Sequence, residues 1–217
     1  MPATPADFAR FFDDSFAAAP LMAILRGYSP ERTVDLATRA WDLGVTQVEV
    51  PLQDPDAVPS LEAAITAGAQ RNLSVGAGTI TTPEQVHIAR KAGAAYTVAP
   101  GYDEDVLDES LDVGLPHLPG VSTPTEVSKL QRRDIHWVKA FPASHLGPSW
   151  IRAVRAPFPS LRIVATGGVD AENAASLLHA GARVVALGSA LIDPTQLDRV
   201  TALISKNPAD SEEPSTP

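Results

Sequence analysis

The chain alternates short apolar runs with longer stretches in which apolar residues recur every three or four positions. The short runs are typical of buried strands, and the longer stretches are typical of amphipathic helices. Eight runs stand out, at residues 22–26, 47–52, 74–79, 96–101, 116–121, 136–142, 162–168 and 184–189. The pattern therefore predicts eight strands with a helix in each gap between them.

Start and stop signals flank several of the predicted helices. Ser29-Pro30, Thr82-Pro83 and Thr123-Pro124 each place a capping side chain and a first-turn proline before a helical stretch. Glycines follow four helical stretches, where a left-handed C-terminal residue favours glycine. They occupy positions 44, 93, 114 and 181.

Strands that alternate with helices form a parallel sheet. Eight of them predict an α/β fold, and closure into a (β/α)8 TIM barrel is the natural arrangement. A doubly wound open sheet is the alternative, but no GxGxxG follows the first predicted strand. Small residues at several strand ends also suit the crowded interior of a closed barrel. We therefore expect the barrel.

We expect residues 1–206 to form one domain, with an N-terminal helix at about 5–18. Its phenylalanines at 8, 11, 12 and 16 fall on one helical face. Such a stripe favours a helix that caps the bottom of the barrel over one that binds a partner, because aromatic faces are usually buried. Residues 207–217 are polar, acidic and proline-containing, which predicts a disordered tail.

Composition excludes several classes of function. The net charge of −9 disfavours a nucleic-acid partner. No apolar run has the length of a membrane span, and the N-terminus lacks a basic region followed by an apolar stretch, so we expect a cytoplasmic protein without a membrane partner. Cysteine is absent, which removes disulfides and zinc–thiolate sites. The five histidines form no cluster with metal-ligand spacing, so we expect no metal.

The most informative single residue is Lys139, at the end of the sixth predicted strand in the run VKAFP. A lysine near a strand end usually extends to water or pairs with a carboxylate. At the mouth of a barrel, however, a partly desolvated amine can lose its proton and attack a carbonyl carbon. Lys139 is thus a candidate nucleophile.

Glu49 is a second charge inside an apolar strand, in the run VEVPL. It could form a structural ion pair, even with Lys139 itself. A carboxylate beside a Schiff-base lysine would instead serve proton transfer, which that chemistry requires at several steps. Because perturbed titratable groups cluster at active sites, we favour the catalytic interpretation of the pair.

Two glycine elements end the seventh and eighth predicted strands, Thr166-Gly167-Gly168 and Gly188-Ser189. Many barrels bind phosphate at these positions, through backbone N–H groups that glycine leaves accessible. Nearby, Arg26 could bind a carboxylate or phosphate through its planar fork, or form an ion pair at the rim. Thr79, after Gly76-Ala77-Gly78, could donate a hydrogen bond to a substrate carboxylate.

At these motifs the sequence resembles the class I aldolases of 2-keto-3-deoxy-6-phosphogluconate and 2-keto-3-deoxy-6-phosphogalactonate, which are similar to 4-hydroxy-2-oxoglutarate aldolases. The resemblance covers residues 20–204. Its motifs are PLMAILRG, VEVPL, VGAGTI, VAPG, LPGVSTPTE, VKAFPAS, TGGV and LGSAL.

The resemblance implies a Schiff base on Lys139, with Glu49 as the general acid/base, and no cofactor or metal. It implies substrate-binding roles for Arg26, Thr79, Gln53, Pro100, Phe141 and Thr166, and phosphate-binding roles for Gly167, Gly168, Gly188 and Ser189. It also implies a homotrimer.

Two positions point to different branches of the family. Phosphogluconate enzymes tend to carry arginine four residues after the glutamate, where this chain has Gln53, as the phosphogalactonate branch does. Thr166 resembles the phosphogluconate branch instead. The preferred sugar acid therefore stays open between the two.

We expect a reversible retro-aldol cleavage of a 2-keto-3-deoxy-6-phospho sugar acid to pyruvate and glyceraldehyde 3-phosphate. The alternatives are a 4-hydroxy-2-oxoglutarate aldolase, and a phosphosugar isomerase or epimerase in which Glu49 is the base and Lys139 only an electrostatic group. A barrel that senses a sugar phosphate without turnover is a third, non-enzymatic interpretation, and the Lys139–Glu49 pair disfavours it.

Overall fold

The computed structural model describes residues 2–188 together with 196, 199 and 202. It contains nine strands: β1 Leu21–Ile24, β2 Gln47–Pro51, β3 Val75–Gly78, β4 Thr97–Val98, β5 His117–Leu118, β6 Gly120–Val121, β7 Trp137–Ala140, β8 Arg162–Thr166 and β9 Val184–Leu187. The helices are α1 Pro5–Ser15, α2 Pro30–Asp42, α3 Val58–Ala69, α4 Pro83–Ala92, α5 Glu104–Val113, α6 Pro124–Gln131, α7 Ala143–Arg155 and α8 Ala174–His179. A short 3-10 helix, Pro55–Ala57, precedes α3.

The sheet closes on itself as a parallel barrel. The strand order is β5-β4-β3-β2-β1-β9-β8-β7-β6, and every pairing is parallel. The two ends of this order, β5 and β6, are separated in sequence only by Pro119. They are two halves of the fifth predicted strand, one pairing with β4 and the other with β7. The predicted (β/α)8 barrel is confirmed, and the open sheet is wrong.

The interruption at Pro119 has a local cause. Proline has no N–H to donate to a neighbouring strand. Its carbonyl still accepts a hydrogen bond from Lys139 N at 2.8 Å. The next residue, Gly120, donates to the Gly101 carbonyl at 3.1 Å. The barrel therefore stays closed around a strand that is broken by one residue.

Local signals place the helices between the strands. The Ser29 hydroxyl accepts from Arg32 N at the start of α2. Thr82 and Thr123 form capping boxes, and each is followed by proline in the first turn. At the other end, Gly93 and Gly114 adopt left-handed conformations with φ of 90° and 68°. These are the positions at which the sequence predicts helix ends.

The N-terminal helix packs against one end of the barrel. Phe8 and Phe12 of α1 are buried, and the Phe12 ring lies 5.9 Å from that of Tyr96. Asp13 accepts a hydrogen bond from Trp137 Nε1 at 3.1 Å and pairs with Arg162 at 2.7 Å. Because Trp137 and Arg162 begin β7 and β8, α1 covers the N-terminal ends of the strands.

The bounds of α1 differ slightly from the sequence expectation. The helix ends at Ser15 and not near residue 18, with Phe16 as its C-cap. The single domain of residues 1–206 stays a prediction, and the tail predicted at 207–217 lies outside the described residues. Within the described ranges, no helix is both long and apolar enough to cross a bilayer.

Candidate active site

A cavity of about 280 Å³ opens at the C-terminal ends of the strands. Its wall comes from residues that end or directly follow β1, β7, β8 and β9. The described residues that line it are Ile24, Arg26, Tyr28, Lys139, Phe141, Thr166, Gly167, Gly168, Val169, Ala186 and Gly188. This is the end of the barrel at which TIM-barrel enzymes place their reactive groups.

Lys139 reaches the cavity from the interior of the barrel. Side chains two residues apart on a strand share a face, and Trp137, two residues earlier, packs in the cluster that fills the barrel. Only 3% of Lys139 is exposed. Its Nζ lies 5.2 Å from the centroid of the Phe141 ring, where the ring face favours a cation. The amine is thus held inside the barrel, close to the Phe141 ring.

Glu49 is fully buried on β2, with 0% exposed. Neither carboxylate oxygen has a hydrogen-bond partner among the described residues. Burial raises the pKa of the Glu49 carboxyl, and the positive charges of Lys139 and Arg26 oppose that rise. The three side chains therefore act on one another electrostatically, and a carboxyl that is ready to hold a proton lies beside the amine.

Two glycines of β3 make room for this arrangement. A Cβ at Gly78 would lie 1.7 Å from Glu49 Oε1, and a Cβ at Gly76 would lie 2.2 Å from the Tyr96 ring. Any larger residue at either position would displace its neighbour. The GAG motif therefore leaves space inside the barrel, as the sequence suggests, and at Gly78 that space holds the Glu49 carboxyl.

Part of the cavity wall is formed by Thr166 and the glycines after it. Thr166 is 2% exposed, and its hydroxyl has no hydrogen-bond partner among the described residues. Gly167 and Gly168 have φ of 94° and 67°, conformations that favour glycine. A Cβ at Gly167 would also lie 2.8 Å from the Phe141 ring. This part of the wall thus consists of a hydroxyl and of backbone without side chains.

Not every predicted site residue lies on this wall. Glu49, Gln53, Thr79 and Pro100 are not among the residues that line the cavity. Thr79 adopts a φ of 59°, which is uncommon for a threonine. Ser189 lies outside the described residues. The roles expected of the site residues stay predictions.

Sequence reasoning missed Tyr28, which lines the cavity two residues after Arg26. Its carbonyl accepts hydrogen bonds from the buried hydroxyls of Ser60, at 2.8 Å, and Thr33, at 3.5 Å. The loop after β1 is therefore fixed against α2 and α3. Its position directly after a strand end was the available signal, because that is where barrel sites gather residues.

In the part of the chain that the structure describes, no group of three or more His, Cys, Asp or Glu side chains could hold a metal ion. His117, the first residue of β5, is buried, and its Nδ1 lies 2.8 Å from Thr97 Oγ1.

The sequence model of the family described as "KDPG and KHG aldolase" matches residues 12–203. The chain belongs to this family. KDPG denotes 2-keto-3-deoxy-6-phosphogluconate, and KHG denotes 4-hydroxy-2-oxoglutarate. As a family member the protein is an aldolase, and aldolases are lyases.

Individual relatives agree with this assignment. A probable 2-dehydro-3-deoxy-6-phosphogalactonate aldolase of Rhizobium meliloti is 39% identical, over 81% of this chain and 82% of its own. The 2-dehydro-3-deoxy-6-phosphogalactonate aldolase of Escherichia coli is 35% identical, over 79% and 84%. A solved KDPG aldolase from Legionella pneumophila, with pyruvate captured as a covalent carbinolamine, is 27% identical with a TM-score of 0.76, covering 88% and 93%.

Proposed function

We propose that this aldolase cleaves a 2-keto-3-deoxy-6-phospho sugar acid, of the phosphogluconate or phosphogalactonate type, to pyruvate and glyceraldehyde 3-phosphate. The reaction passes through a Schiff base on Lys139. The observation that carries the proposal is a buried amine at the cavity that interacts electrostatically with a buried carboxyl, which has no hydrogen-bond partner among the described residues. The family and the names of the relatives support the substrate class.

The first half of the mechanism forms the iminium. Neutral Lys139 Nζ attacks the C2 carbonyl carbon and gives a carbinolamine. Protonated Glu49 donates its proton to the departing hydroxyl, and water leaves. The raised pKa of Glu49 suits this step, because a carboxyl that retains its proton can act as a general acid. The Phe141 ring face stabilises the cationic nitrogen.

The second half breaks the carbon–carbon bond. Glu49, now a carboxylate, accepts the proton of the C4 hydroxyl. The C3–C4 electron pair moves to the iminium, which releases glyceraldehyde 3-phosphate and leaves a pyruvate enamine. Protonation at C3 restores an iminium, and its hydrolysis frees pyruvate and the lysine. One carboxyl thus serves as both acid and base.

The ends of the substrate need separate binding groups. We assign its carboxylate to Arg26, Thr79 and Gln53, and its phosphate to the backbone of Gly167, Gly168 and Gly188 together with Ser189. Thr166 and Phe141 contact the carbon skeleton, with Pro100 beside them. Support for the assignment comes from the cavity wall for six of these residues and from the family resemblance for Thr79, Gln53, Pro100 and Ser189.

A coupled assay of pyruvate release tests the proposal. Lys139→Ala should abolish turnover, and Glu49→Gln should lower kcat by about 100-fold or more, since general acid–base catalysis contributes on that scale. Lys91→Ala is the matched control, because Lys91 lies exposed on α4. Wild-type turnover without pyruvate among the products would favour an isomerase and refute the aldolase.

The assembly and the location are further parts of the proposal. The family resemblance supports a homotrimer, and sedimentation of the purified protein tests it against a monomer or dimer. Cytoplasmic location is supported by the metabolic substrate class, and fractionation of cells that express the full chain tests it.

A further inference from the structure

The cavity is poor in positive charge for the substrate proposed above. That substrate carries a phosphate and a carboxylate. Of the described residues that line the cavity, only Arg26 and Lys139 are cationic. The chain as a whole has a net charge of −9, which repels anions. Additional donors at the phosphate end would therefore matter for affinity.

Ser144 and His145 lie at the proposed phosphate end of the cavity, and Ser144 is directly beside Gly167 and Gly168. A Cβ added at Gly168 would lie 2.3 Å from Ser144 Oγ, so the hydroxyl sits against the backbone that lines the cavity. Ser144 Oγ lies 3.2 Å from His145 Nδ1. Both side chains are exposed and hence open to a ligand.

The backbone that carries this pair is tied to the same wall. Ser144 N donates to the Gly167 carbonyl at 3.0 Å, and Asn173 Nδ2 donates to the Gly168 carbonyl at 2.8 Å. His145 N donates to the Pro142 carbonyl at 3.1 Å. Backbone that is already fixed beside the phosphate end needs no reordering when an anion binds, which favours affinity.

We propose that Ser144 and His145 complete the phosphate site and make the enzyme selective for the phosphorylated substrate. With His145 Nδ1–H as the donor to Ser144 Oγ, the Ser144 proton is free for a phosphate oxygen. This inference rests on the proposed function, because the phosphate belongs to its substrate.

A second serine–histidine contact elsewhere in the chain can serve as a control for this one. His136 Nδ1 lies 3.2 Å from Ser160 Oγ, the same contact distance, but His136 precedes β7 at the opposite end of the barrel. A serine–histidine contact that is merely a surface feature would behave alike at both ends. His136→Ala is therefore the matched control for His145→Ala.

The test compares kcat/KM for the phosphorylated sugar acid with kcat/KM for the same sugar acid without its phosphate. His145→Ala and Ser144→Ala should each lower the value for the phosphorylated substrate by about two- to fivefold, mostly through KM, as expected when a hydrogen bond to the phosphate is lost. The value for the unphosphorylated substrate should not change. His136→Ala should retain wild-type selectivity.

Two results would overturn the inference. One is wild-type selectivity in both His145→Ala and Ser144→Ala. The other is an equal loss on both substrates, which would indicate general damage to the site. Failure of the proposed function looks different, because the wild-type enzyme would then release no pyruvate from either substrate, and the inference would fall with it.

Discussion

The substitution Gly78→Ala, which adds a single methyl group, tests whether the position of the Glu49 carboxyl matters for catalysis. In Gly78→Ala the added Cβ would lie 1.7 Å from Glu49 Oε1, 2.4 Å from Cδ and 2.7 Å from Cγ. Ordinary contacts begin near 3.4 Å, so the carboxyl has to move by about 1.7 Å. The substitution thus displaces the acid/base without changing any group that takes part in the chemistry.

Such a displacement is large on the scale of catalysis. A misplacement of about 1 Å can lower a rate by roughly 100-fold. Overpacking a tight interior destabilises a protein by about 1–3 kcal/mol. We therefore expect Gly78→Ala to fold with a lowered Tm and to lose about 100-fold in kcat, measured by pyruvate release. Its far-ultraviolet circular dichroism should match that of the wild type.

Gly101→Ala provides the control. Position 101 follows β4 near the same end of the barrel, and a Cβ there would meet nothing within 4 Å. Its kcat and Tm should equal those of the wild type. A folded Gly78→Ala with kcat within twofold of the wild type would refute the argument, because Glu49 would then not need its observed place.

Two further predictions concern pH and stability. Burial raises the pKa of Glu49 in the folded state, so its contribution to the free energy of unfolding is present below pH 4.5 and is lost as the pH rises through the folded pKa. Glu49→Gln should therefore be the more stable protein in denaturant titrations at pH 8, and this advantage should shrink towards pH 4. Burial lowers the pKa of His117 from 6.5 to about 3, so the wild type should lose stability as the pH falls from 6.5 towards 3, and His117→Asn should show a smaller slope over that range. Equal slopes in the two proteins would mean that His117 is accessible to solvent when folded.

Periodicity and strand-end chemistry predicted most of the fold from the sequence. Apolar runs and capping signals are local in the sequence, so they can be identified without knowledge of tertiary contacts. The break at Pro119 was missed because the six-residue run at 116–121, which is mostly apolar, looks continuous until the hydrogen bonds on each side are known. The closed barrel was still predicted correctly, since closure depends on the number of strands.

In the site, too, local features could be predicted from the sequence, and features that depend on tertiary contacts could not. Lys139 and Glu49 stand out because a charge inside an apolar run is visible in the sequence alone. The fit of Gly78 to Glu49 depends on the register between β2 and β3, which cannot be derived from the sequence alone. Tyr28 was missed because many loop residues share its position after a strand end, and only the structure shows which of them line the cavity.

Reductive trapping tests the central assignment most directly. The purified protein is treated with pyruvate and sodium borohydride, digested, and its peptides are analysed by mass spectrometry. We expect one stable pyruvate adduct, on Lys139, which is absent from Lys139→Ala and unchanged in Lys91→Ala. An adduct on a different lysine, or unmodified protein under conditions in which it turns over substrate, would contradict carbon–carbon cleavage through this amine.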